Sequence, residues 1–131
     1  MVQLSANESQ RLEQMCQQVL SIPEIRFCGI VNNQGNLIAG GFKDKIIPLE
    51  PDEKRRMLYM QMVLDFNMRK EHDETLGPIE YSATKRGKVM MISIPISDKL
   101  ILISANTYAD PHQISKIVAH LFSRCSNTIA A

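Results

Sequence analysis

The stretch Pro51-Asp52-Glu53-Lys54-Arg55-Arg56-Met57-Leu58-Tyr59-Met60-Gln61-Met62-Val63-Leu64-Asp65-Phe66-Asn67-Met68-Arg69-Lys70 decides how this chain folds. It reads as a helix. Pro51 suits a first helical position, where its missing N–H costs nothing. Asp52 and Glu53 set negative charge in the first turn, and Arg69 and Lys70 set positive charge in the last, both favourable to the helix dipole. A turn of about 100° per residue sorts its side chains. Met57, Met60, Leu64 and Met68 gather on one side; Tyr59, Met62, Val63 and Phe66 gather almost opposite. Lys54, Gln61 and Asp65 form one polar strip between them, and Arg56 and Asn67 the other. A small domain can cover one apolar face with its own sheet. The second face must find a partner or lie under the connectors that flank the helix.

Outward from this helix, strand patterns stand on both sides. Before it, Ile25 to Val31 sends Phe27, Gly29 and Val31 one way and Cys28 and Ile30 the other, the pattern of a strand covered on both faces. Asn32-Asn33-Gln34-Gly35-Asn36 makes a turn, because Asn and Gly tolerate positive φ. Leu37 to Phe42 completes a hairpin, and Gly40-Gly41 inside it marks a bulge or a close backbone approach. An N-terminal helix precedes the hairpin. Ser5 and Glu8 have capping-box spacing, and Leu12, Met15, Cys16, Val19 and Leu20 form an amphipathic stripe that Pro23 ends.

After the helix, His72 to Pro78 is a connector. Ile79, Tyr81 and Ala83 alternate with Glu80, Ser82 and Thr84, as in a half-exposed strand. Arg86-Gly87 turns the chain. Val89 to Ile94 and Leu100 to Ile103 are nearly continuous apolar runs, expected as central strands. Asp110 and Gln113 repeat the capping spacing, with Pro111 at the first helical position; Ile114, Ile117, Val118, Leu121 and Phe122 stripe a last helix.

The chain has 131 residues, of which 44% are apolar and 22% charged, ordinary for one globular domain with a single core. We expect that domain over residues 1–125 and a flexible tail over residues 126–131. Fifteen basic and fourteen acidic residues leave a net charge of +1, so no global field steers the protein to nucleic acid or anionic lipid. Cys16, Cys28 and Cys125 show no CxxC or zinc spacing. Cys16 and Cys28 read as small core residues, which favours a reducing compartment. No apolar run approaches the roughly 20 residues of a membrane span, and no secretory leader pattern opens the chain. A cytoplasmic protein is expected.

No cluster points to a reaction. His72, His112 and His120 are scattered, and His72-Asp73-Glu74 reads as a solvated loop. No phosphate-cradling loop and no dinucleotide fingerprint occurs, and no serine or cysteine has an evident activating base. No catalytic residue, cofactor or metal is therefore expected. Lys54-Arg55-Arg56 and Lys85-Arg86-Gly87-Lys88 are basic groups, read as solvated charge or as a contact for an acidic partner or nucleic acid. With 5% aromatic residues and no Trp, base stacking on nucleic acid is not expected.

The order αββαβββα over residues 5–124, with the hairpin Gly29-Ile30-Val31-Asn32-Asn33-Gln34-Gly35-Asn36-Leu37-Ile38-Ala39, resembles the roadblock / dynein light chain superfamily, a profilin-like three-layer α/β (α+β) fold. The resemblance implies a five-stranded antiparallel sheet in the order 2-1-5-4-3, with the first and last helices on one face and the middle helix on the other. In that superfamily two subunits commonly pair their third strands and pack their middle helices together. Its members are non-catalytic platforms, for example in small-GTPase regulation.

The expectation is a homodimeric scaffold or regulatory interaction module, with a small GTPase or another protein as client. Its interface is placed on Tyr59, Met62, Val63 and Phe66 of the middle helix and on Ile79, Tyr81 and Ala83 of the third strand. It is expected to bury about 1,200–2,000 Å² or more, and Phe66→Asp to disrupt it. The alternative is a profilin- or PAS-like sensor holding a small ligand between sheet and helix, beside Gly40-Gly41 and the Met-lined face.

Overall fold

The alternation in Ile25–Val31 is built into the sheet as the sequence lays it out. In this computed structural model, which describes the backbone of residues 6–130 and the side chains of residues 6–123, that segment is strand β1. Cys28 and Ile30 face one buried layer, and Phe27 and Val31 the other. Strand β2 (Leu37–Phe42) pairs with it as a hairpin. Strands β3 (Ser82–Lys85), β4 (Met90–Ile96) and β5 (Lys99–Ala105) follow, and the antiparallel sheet runs β2-β1-β5-β4-β3. The two strands covered most completely, β1 and β5, lie side by side in its interior.

Helices α1 (Ala6–Leu20) and α4 (Pro111–Ala130) cover one face. Met15, Cys16, Val19 and Leu20 of α1, with Ile114, Val118 and Phe122 of α4, pack on Ile92, Ile101 and Ile103. Ile117 stands at the margin of its stripe, 47% exposed. The Asp110 carboxylate accepts from the N–H groups of His112 (3.0 Å) and Gln113 (3.3 Å), so the expected cap forms. Ser5, expected to cap α1, lies outside the described residues. No Pro or Gly follows Pro111, and the α4 backbone continues through residues 126–130, which the sequence reading assigns to a tail.

Helix α2 (Asp52–Arg69) covers the other face, and here the expected roles of its two flanks are exchanged. Tyr59, Val63 and Phe66 are buried against Phe27, Val31, Leu100 and Leu102 of the chain's own sheet, with Met62 and Ile79 packed beside them. The Phe27 and Tyr59 rings stack with centroids 6.0 Å apart. Each such side chain contributes roughly 1.5–3 kcal/mol by leaving water. The flank placed at a dimer interface is thus the intramolecular one, and Phe66→Asp would break the fold before any interface.

Two further differences concern the connector. Lys70–His72 is a turn of 3-10 helix and Asp73–Leu76 a short helix, α3, ended by Gly77 at φ 85°. Strand β3 is shorter than the expected 79–84 segment. Ser82 pairs with Ser93, so extending the register by two residues would set Glu80 against Pro95, which has no N–H to give. Ile79 and Tyr81 therefore precede the strand, and only Ala83 of the three expected interface residues belongs to it.

Candidate interaction surface and groove

With Tyr59, Val63 and Phe66 turned inward, the opposite flank of α2 faces solvent. Met57 is 58% exposed, Met60 42%, Leu64 54% and Met68 73%. Four large apolar residues on one stripe of one helix exceed the scattered exposure that any soluble domain shows. Some charges beside the stripe pair along the helix itself. Arg56 and Arg55 reach Asp52 at 2.8 and 3.2 Å, and Arg69 lies 3.7 Å from Asp65. The Arg56 guanidinium holds the Asp52 carboxyl below the usual carboxylate range.

Strand β3 is a sheet edge, hydrogen-bonded on one side to β4. Ala83, Thr84 and Lys85 are exposed. Arg69 of α2 donates to the Ser82 hydroxyl at 3.2 Å, which ties the helix end to this edge. Tyr81 is half-buried, with its hydroxyl 3.2 Å from His112 Nδ1 at the start of α4. Ile79 and Tyr81 thus hold the strand's approach to the core instead of lining a surface.

Between the N-terminal half of α2, the start of β1, the end of β5 and the β3–β4 hairpin lies an open groove of about 660 Å³. Its apolar lining includes Phe27, Phe42, Tyr59, Met62, Met91 and Leu102. The cations around it are Arg26, Lys54, Arg55, Arg86 and Lys88. Arg55 sits over the Phe42 ring, 5.3 Å from its centroid. Burial pushes the Tyr59 hydroxyl pKa up. Two basic groups that are remote in sequence thus meet at one opening. The sequence names both groups, but their convergence depends on the β3–β4 hairpin folding beside α2, and no local pattern encodes that. The groove does not border Gly40-Gly41, where a ligand was expected. Of the outer methionine stripe it includes only Met57.

Two thiols lie among the described side chains, and both belong to the core. Cys16 and Cys28 are fully buried, and the contact with Cys16, then burial, pushes the Cys28 thiol well above its ordinary value. Among the described residues no three His, Cys, Asp or Glu side chains gather as a metal site, and no helix is long and apolar enough to cross a membrane.

The fold is roadblock-like and profilin-like. It is similar to a roadblock/LC7 domain from Streptomyces avermitilis at 9% identity and a TM-score of 0.69, covering 92% of this chain and 98% of that one. Against MglB of Myxococcus xanthus the identity is 9% and the TM-score 0.74, covering 98% and 96%. A Schizosaccharomyces pombe profilin is similar at 13% identity and 0.62, covering 89% and 98%. No curated protein matches the sequence. The profile that does match spans residues 5–125, nearly the whole of the fold just described, and the chain accordingly belongs to DUF6659, a family of unknown function.

Proposed function

We propose that this protein is a non-catalytic, dimeric interaction module of roadblock type, working in the cytoplasm. The observation that carries the reading is the solvent-facing stripe Met57, Met60, Leu64 and Met68 on a helix whose other face is already spent on the sheet. A second copy is the proposed cover. The free β3 edge around Ala83 gives a second point of attachment, where main-chain groups can pair across subunits. Similarity to an MglB described with a tetrameric arrangement, at 11% identity and a TM-score of 0.68, supports an assembling role. The proposed client class is the one the roadblock resemblance implies, a small GTPase.

Light scattering after size exclusion tests this reading. We expect a species of twice 14.8 kDa for the wild type and a monomer for the Leu64→Glu/Met68→Glu variant. Both positions are exposed, so the variant should keep its fold, which circular dichroism checks. A wild type that stays monomeric at its highest soluble concentration would falsify the proposal.

A further inference from the structure

The groove beside α2 shares only Met57 with the outer methionine stripe and is otherwise a separate surface. Its volume, about 660 Å³, falls within the range of small-molecule sites, which run from roughly 300 to 1,000 Å³. Its floor is apolar and aromatic, and residues from the first turns of α2 line it. Five cations stand around it against one carboxylate, Glu50. Lys54, Arg86 and Lys88 form no ion pair among the described residues. Arg26 donates to the neutral Ile47 carbonyl, at 3.4 Å, and forms no ion pair among the described residues. Arg55 alone is partly neutralised, by Asp52 at 3.2 Å. The whole chain carries a net charge of only +1, so this concentration of positive charge is local.

Such a site discriminates by chemistry. A fully polar anion would gain the rim but leave the aromatic floor wet. A neutral hydrocarbon would gain the floor but not the field of the rim. Only a molecule with an apolar body and an anionic head satisfies both. We propose that the groove between α2 and the β3–β4 hairpin binds a small amphiphilic carboxylate. Its apolar body lies on Phe27, Tyr59, Met62 and Met91, and its head sits among Lys54, Arg86 and Lys88. Because the rim residues come from two elements separated in sequence, occupancy ties the hairpin to the helix. The proposal does not depend on dimerisation.

The test uses decanoate, decanol and decyltrimethylammonium, each below its micelle concentration, by calorimetry and by methyl NMR of the methionines. Decanoate should bind saturably and shift the Met62 and Met91 methyl signals, leaving Met68 unmoved. Decanol should bind roughly tenfold more weakly, a loss of about 1.4 kcal/mol, and the cation not measurably. Arg86→Ala/Lys88→Ala, exposed and safe for folding, should weaken decanoate several-fold, and added salt should do the same. The Leu64→Glu/Met68→Glu variant should bind like the wild type, which separates this site from the proposed dimer surface. Equal binding of all three probes, shifts confined to Met60 and Met68, or an unaffected Arg86/Lys88 variant would each overturn the assignment.

Discussion

Gly40 shows how narrowly single positions are fixed. Its φ of 87° is a conformation that other residues adopt at a cost, and an added Cβ would lie 2.1 Å from the Cys28 carbonyl oxygen. Its N–H donates to Glu13 Oε1 at 2.9 Å, so this strand is also tied to α1. Gly40→Ala should therefore cost at least about 1–3 kcal/mol, read as a lower urea midpoint with an unchanged slope. The sequence flags Gly40-Gly41 as a bulge or a close approach. The structure separates the two: the close approach is at Gly40, while the register slips between Ile30 and Val31, opposite the Leu37–Ala39 segment. Gly35, in the turn before it, is held less closely: at φ 81°, an added Cβ would lie 3.0 Å from the Met60 Cα.

Among the elements, α2 carries the widest consequence. Phe66→Ala should destabilise the fold by about 3–5 kcal/mol, because it empties a packed position. Met68→Ala should change the stability of dilute protein by no more than about 0.5 kcal/mol. Denaturant melts of the two variants check the contrast. Two equal losses would mean that the outer flank is covered by the chain itself. Periodicity alone reveals that α2 has two apolar flanks, and it also places β1, β2, α1 and α4 close to where they stand. It cannot choose which flank turns inward, since both are apolar and nearly opposite. Residue type holds the missing signal: the inner flank has the rings and the β-branched side chain, Tyr59, Val63 and Phe66, while the outer one is mostly unbranched Met. The rigid Tyr59 ring stacks on Phe27; flexible methionines suit a surface that adapts to a partner. The short helix α3 is harder to read, because four residues give no full period.

For the molecule as a whole, the proposed assembly makes stability a function of concentration. The melting temperature should rise with protein concentration, since a partner that binds only the folded state stabilises by mass action. A flat profile in calorimetry would count against the dimer. The five-stranded sheet does not close on itself, and its two margins are unlike. On one side is β2, with its slipped register and left-handed Gly40; on the other is β3, four residues long and ending in Lys85. Joining like to like yields a finite two-fold pair, whereas joining β2 of one copy to β3 of the next yields a ring, or an open filament where the rotation does not close. The mismatch in length and charge between these margins disfavours the second mode, so an edge proposed to take one companion would also keep the protein from growing into a fibre.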